Sequence, residues 1–399
     1  MGLGILVSIS VVPLVVSLVG PKAWAGIAVA QSVAGFGAIV VVFGWGITGP
    51  SKVASIGRID RGQFFADSLA SRIWLFLFVT PVILVVVWCL SLGDVVANAF
   101  SALAIVIPSL GASWFFIGEG SSRRLLVFES IPKAAGSVVG VVALFVSGNL
   151  VFFTGAQVVG AILAVVLGSR SVLSRHANFK LSAGLRNSLH RLGSQTGGMV
   201  TTVTSSLYVS FPLVAVSWLS PTSVEAYALA DKLLKLFLTG LSPVVQVAVG
   251  YVPATDPVEH RRRSARAFRV ALFLGLIVGA AFALIGPLIG DVLTAHKVQQ
   301  IHSLFLPLAA ALFSVTVSGT VGVACLTSFG HIGRVATSTV MGALIGVPLV
   351  VLAALSVGAV GVSWAVACSE LVVAGYQVFY LRRVVRAQAT EIVLDEEYI

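Results

Sequence analysis

Long apolar runs alternate with short polar breaks from one end of this chain to the other. A bilayer core takes about 20 mostly apolar residues per helix. The runs at 2–19, 24–47, 68–91, 98–118, 131–148, 150–168, 195–218, 225–250, 268–290, 302–325, 335–355 and 359–381 have that character. Two breaks are barely a turn long, at Gly148-Asn149 and at Gly358-Ala359-Val360-Gly361. Joined, the flanking runs would form segments of 38 residues or more, enough to cross the core twice, so each pair is read as two helices. The predicted fold is all-α: a polytopic integral membrane protein of about twelve transmembrane helices. The longest polar stretch divides it into an N-terminal six-helix lobe, 1–168, a cytoplasmic linker, 169–194, a C-terminal six-helix lobe, 195–381, and a cytoplasmic tail, 382–399.

Composition supports that pattern and excludes its rivals. Of 399 residues 58% are hydrophobic and 10% charged, against about 25% charged in a soluble domain. The net charge of +10 would suggest nucleic acid in a soluble protein, but these cations sort by side. With a cytoplasmic N-terminus, the even-numbered breaks and the tail carry 21 of the 25 Lys and Arg, and the opposite side carries Lys22, Lys232, Lys235 and Lys297. That split fits twelve spans with both termini inside the cell membrane. The run Arg261-Arg262-Arg263 reads as a topology anchor beside anionic headgroups. The first span has no charged n-region or cleavage site, and its missing basic flank reads as a truncated or misassigned start.

Catalytic chemistry is absent from the pattern. Cys89, Cys325 and Cys368 are isolated, the six histidines form no ligand cluster, and no Walker A, GxSxG or HExxH motif occurs. A transporter rather than an enzyme is expected, with no cofactor, no metal and no nucleic-acid partner.

An internal repeat relates the lobes. PLVVSLVGPKAWAGIAVAQSV from Pro13 and PLVAVSWLSPTSVEAYALADKL from Pro212 share Pro13/Pro212, Leu14/Leu213, Val15/Val214, Pro21/Pro221, Ala28/Ala228 and Ala30/Ala230 with one inserted residue. Repeats of this kind mark transporters whose halves rock around a substrate site. Mid-span prolines, including Pro81, Pro243, Pro307 and Pro348, would bend helices as a hinged machine requires.

The repeat exposes an asymmetry. Where the first copy has Gln31-Ser32, the second has Asp231-Lys232, followed by Lys235. Either these lysines face an interior cavity as a cationic site for a pyrophosphate-like headgroup, tempered by Asp231, or the stretch is interfacial and they snorkel outward. Glu370 lies deep in the last span, in SWAVACSELVVAGYQ. It serves coupling to a cation or proton, a hydrogen bond to sugar hydroxyls, or a static interhelix hydrogen bond. In the first half the acids Asp60, Asp67, Asp94, Glu119 and Glu129 all read as lying in breaks or at span edges.

Three segments carry a resemblance. They are PLVVSLVGPKAWAGIAVAQSV at 13–33, PSLGASWFFIGEGSSRRLLVFESIPK at 108–133 with Pro108, Trp114, Gly118, Glu119 and Lys133, and VEAYALADKLLK at 224–235 with Tyr227, Ala230 and Lys232. They resemble the bacterial polysaccharide (O-antigen, Wzx-type) flippase family of the MOP exporter superfamily. The resemblance implies a MATE-like pair of lobes around a cationic cavity. It also implies alternating-access movement of a polyprenyl-pyrophosphate-linked oligosaccharide from inner to outer leaflet for cell-surface polysaccharide biosynthesis. Membrane lipids, a glycan polymerase and glycosyltransferases are the implied partners. Arg72 is the first lobe's best cavity candidate, and Arg123-Arg124 would gather the headgroup electrostatically or simply record topology. This chain departs from the family in stopping at twelve spans and in a first lobe nearly free of charge at membrane depth. The alternative is a MATE-type ion-coupled multidrug antiporter; its reliance on membrane-depth acids fits poorly with Glu370 alone beside deep lysines. A membrane-embedded glycan polymerase or ligase would need a large outside loop, and the longest here is about eleven residues.

Overall fold

The computed structural model describes residues 15–57, 59–176, 210–254, 256–294 and 302–397, with Gly184, Ser188 and Leu192 placed singly. The described residues form helices and turns, with no strand among them. Ten helical segments are long and apolar enough to cross a membrane: Pro21–Val42, Asp60–Cys89, Val95–Gly118, Ser122–Ser147, Leu150–Leu173, Pro221–Tyr251, Pro257–Val292, His302–Leu326, Ile332–Ser356 and Ala359–Arg386. Each overlaps one expected span. The expected spans at 2–19 and 195–218, with Pro13, lie mostly outside the described residues, as do Arg58, Lys180, Arg186, Arg191 and Lys297.

The elements are α1 (Pro21–Val42), α2 (Trp45–Ser55), α3 (Asp60–Cys89), α4 (Val95–Val106), α5 (Ser113–Gly118), α6 (Ser122–Leu125), α7 (Ile131–Ser147) and α8 (Leu150–Leu173). Then come α9 (Ser210–Leu219), α10 (Val224–Tyr251), α11 (Pro257–Thr294), α12 (His302–Ser318), α13 (Ile332–Ser356) and α14 (Ala359–Glu397). Helix starts follow local chemistry. Pro21 opens α1, the Asp94 side chain accepts from the Val96 and Ala97 amides at α4, and Asn149 accepts from Val151 at α8.

Two compact units divide the chain between Val214 and Ala215, the second taking in most of the chain from Ala215 onward. The two short turns are real: Gly148 and Gly358 sit at φ 64° and 73°, between α7 and α8 and between α13 and α14. Left-handed backbone favours glycine there. Both helix pairs pack along their lengths. In α7 and α8, a Cβ on Gly136 would stand 2.7 Å from the Ala156 carbonyl oxygen and 2.9 Å from the Gly160 Cα, so the helices touch backbone to backbone. Outward faces stay apolar: Phe78, Val82 and Val85 on α3 are each about 60% exposed, which suits lipid and not water.

Boundaries differ from expectation where charge begins. Helix α3 starts at Asp60 rather than 68, α11 at Pro257 rather than 268, and α14 continues past 381 to Glu397. Arg, Lys and Glu are good helix formers, so the helices run on beyond the apolar core. Conversely α1 stops at Val42, where Phe43 takes φ 54°, and α2 begins anew at Trp45. Ahead of α7, residues Leu126–Ser130 form a π-helical turn that continues the helix where a break was expected. Glu129 is therefore part of a continuous helical segment and is buried at 1% exposure, seven residues from the segment's start.

Candidate functional site

In the second unit, α10 carries the deep charges. The span Pro221–Tyr251 places Asp231 ten residues and Lys235 fourteen residues beyond its start, about 15 Å and 21 Å along at about 1.5 Å per residue. Both stand well inside this apolar helix, and a charge left unpaired at the centre of a bilayer costs about 2.5–3.5 kcal/mol or more. One turn of helix brings the Lys235 Nζ within 2.6 Å of the Asp231 carboxylate. Residues Ala226 to Asp231 are buried without interruption, so this half of α10 is enclosed by protein on all sides. It packs against α12 and the π-helical segment Gly319–Leu326. Lys232 is half-buried next to the pair and engaged with a neighbour. One carboxylate and two ammonium groups leave the cluster with a net single positive charge.

Glu370 is half-buried on α14 and has an interaction partner. Two turns further along, Gln377 is 3% exposed and donates from Nε2 to the Ser338 Oγ on α13 at 2.8 Å. Its Oε1 has no hydrogen-bond partner, and Gly322 lies directly beneath the amide, where a Cβ would stand 2.7 Å from Oε1. Sequence reading passed over Gln377, although a lone Gln inside VVAGYQVF was a visible signal.

In the first unit, Arg72 is built into a buried knot. Its side chain is fully buried on α3, and Nη1 donates to the carbonyls of Ser109 (2.8 Å) and Gly111 (2.9 Å). The guanidinium lies 5.5 Å from the Trp114 ring centroid. The next peptide group completes the link, because the Ala112 amide donates to Glu129 Oε1 at 2.9 Å. A single peptide unit, Gly111 C=O and Ala112 N–H, thus joins the cation to the anion. Lys133 pairs with the same carboxylate at 3.2 Å. Arg72 in this conformation clamps the 107–112 turn with no exposed face, and its Nη2 is buried with no hydrogen-bond partner among the described residues. Arg124 donates to Glu119 at 3.0 Å and Arg175 approaches the same carboxylate at 3.4 Å, while Arg123 is exposed. The pair Arg123-Arg124 therefore splits into one surface charge and one strut between α6 and the end of α8.

No protein-family model and no curated protein matches the chain. Solved structures do. An inward-facing multidrug-resistance MATE-family transporter of the MOP superfamily is 18% identical and superposes with a TM-score of 0.66 over 97% of this chain and 99% of that one. The lipid II flippase MurJ, in an inward closed conformation, is 13% identical with a TM-score of 0.70 over 95% and 85%. The fold is that of the MOP-superfamily transporters. A third such structure, from Pyrococcus furiosus, is a transporter for which reversed polarity of the binding pocket suggests a different function; it is 14% identical with a TM-score of 0.53 over 94% and 88%. At these identities the likeness shows the fold alone.

Proposed function

We propose that this chain is a flippase that moves a polyprenyl-pyrophosphate-linked oligosaccharide from the inner to the outer leaflet of the cytoplasmic membrane. The observation that carries the reading is the Asp231–Lys232–Lys235 cluster at mid-span on α10. Its surplus positive charge suits a pyrophosphate, and the Asp231–Lys235 pair limits the cost of holding that charge in the membrane between substrates. A headgroup entering beside the cluster replaces the Asp231 carboxylate with phosphate oxygens, to which a lysine offers three donors. The wide apolar faces, such as that of α3, leave the prenyl tail in lipid. Arg72 and Arg124 act on this reading as struts that hold the first unit in shape. A MATE-type ion-coupled antiporter is the second reading, favoured by Glu370 at depth in α14.

Proteoliposomes loaded with a fluorescent polyprenyl-pyrophosphate disaccharide separate the two. Lys232→Ala with Lys235→Ala should abolish headgroup translocation while the protein still inserts and purifies as wild type. Wild-type translocation by the double variant would remove the cluster, and with it the reading.

A further inference from the structure

A polar cavity of about 640 Å³ opens in the second unit, where the end of α9, the start of α10 and the α13–α14 turn meet. Its lining includes Ser220, Thr222, Ser223, Glu225, Ser356 and Gly358. Some of these groups hold the cup together. Ser220 and Ser223 share a hydrogen bond of 2.8 Å, Ser223 accepts from the Ala359 amide at 3.3 Å, and Ser356 donates to the Leu352 carbonyl. Others are uncommitted: among the described residues nothing pairs with the half-buried Glu225 carboxylate or the Thr222 hydroxyl.

An acid in the first turn of a helix is ordinarily explained by the helix dipole. The repeat tests that explanation. Helix α1 begins at Pro21 as Pro221 begins the 3-10 turn that leads into α10, yet α1 has no acid in its first turn. The offset of 200 between Pro21 and Pro221 puts Gly20, Lys22 and Ala25 where Ser220, Thr222 and Glu225 stand, and Ala25 is wholly buried. The same scaffold is made without hydroxyls or a carboxylate at these places, so the polar cup is a property of the second lobe and not a requirement of the fold.

A carboxylate among hydroxyls and turn backbone, with no cation among the described lining residues, repels phosphate and accepts hydroxyl donors. A carboxylate has about four acceptor sites and readily takes two neighbouring hydroxyls. The volume falls in the range of small-molecule sites, about 300–1,000 Å³. We propose that this cup binds a neutral glycosyl unit, with Glu225 and Thr222 as its hydrogen-bonding anchors. The inference rests on the flippase reading, and on the orientation predicted from the cations the cup opens at the outer face, where the sugar arrives.

The test uses the full chain in nanodiscs with free methyl glycosides of glucose, galactose, mannose and rhamnose, read by saturation-transfer NMR. At least one glycoside should bind; Glu225→Gln should weaken it about tenfold or more, and Thr222→Val, at an exposed position, should weaken it with no change in folding. Binding by none of the four, or unchanged binding by both variants, overturns the proposal. A melting shift with sodium or potassium that needs Glu225, without any sugar effect, also overturns it and makes the cup a cation site. Free sugars report on the cup alone: glycoside binding without lipid translocation would sink the flippase reading and leave the cup, while translocation without glycoside binding would do the reverse.

Discussion

Replacing Arg72 decides whether this arginine is a structural clamp or a substrate ligand. Arg72→Met keeps the length and removes the charge. Two hydrogen bonds from a charged donor, to Ser109 and Gly111, are lost, each worth about 1.5–3 kcal/mol. The Glu129 carboxylate, 1% exposed, keeps the Ala112 amide and Lys133 but loses the cation across the peptide. The two hydrogen bonds together set an expected loss of about 3–6 kcal/mol. The double variant Arg72→Met with Glu129→Gln measures whether the two charges act through the shared peptide, with an expected coupling of about 0.5–3 kcal/mol. Trp114, lying against the guanidinium, reports unfolding directly in a denaturant titration of the detergent-solubilised chain. If Arg72→Met unfolds at the wild-type midpoint while translocation fails, the clamp is wrong and Arg72 returns to the list of groups that meet substrate.

Gly136→Leu should force α7 from α8 and lower the unfolding midpoint, whereas Val139→Leu, on the exposed face of the same helix, should leave it unchanged; equal midpoints would contradict the backbone contact. Glu370→Gln should slow transport if the carboxylate exchanges a proton or ion during the cycle, and a rate equal to wild type from pH 6 to 8 would reduce Glu370 to a structural partner.

The spans were legible because lipid leaves the backbone no alternative to helix and because about 20 apolar residues set their length. All ten described spans overlap runs visible in the sequence. Their ends were not legible, since Asp60–Arg61 and Arg261–Arg269 prolong helices that hydropathy alone would stop. The lysines on α10 stood out as charges inside an apolar run, and the Asp231–Lys235 pair follows from their spacing. The knot around Arg72 did not stand out, because its partners lie 37 and 39 residues away and are backbone carbonyls, which have no sequence signature. The cup was equally hidden: Ser223 and Ala359 meet across 136 residues.

The duplication does more than suggest a rocking mechanism; it supplies an internal control for every charge. Gly120 and Gly330, and Gly148 and Gly358, are left-handed turns 210 residues apart, so the chain builds the same corners twice. At corresponding depth α1 carries Gln31, Ser32 and Gly35 where α10 carries Asp231, Lys232 and Lys235. The first copy shows that a helix can begin at a proline, bury Trp24 to Ala30 and run on to Val42 with no charge beyond Lys22 in its first turn. Charges are expensive at that depth, and the scaffold has a ready version without them. On the proposed function Asp231, Lys232 and Lys235 serve the headgroup, and Glu225, opposite Ala25, serves the proposed cup. Arg72 and Glu129 are held within the first unit by the Ser109 and Gly111 carbonyls, the Ala112 amide and Lys133, while Arg72 Nη2 stays buried with no hydrogen-bond partner among the described residues.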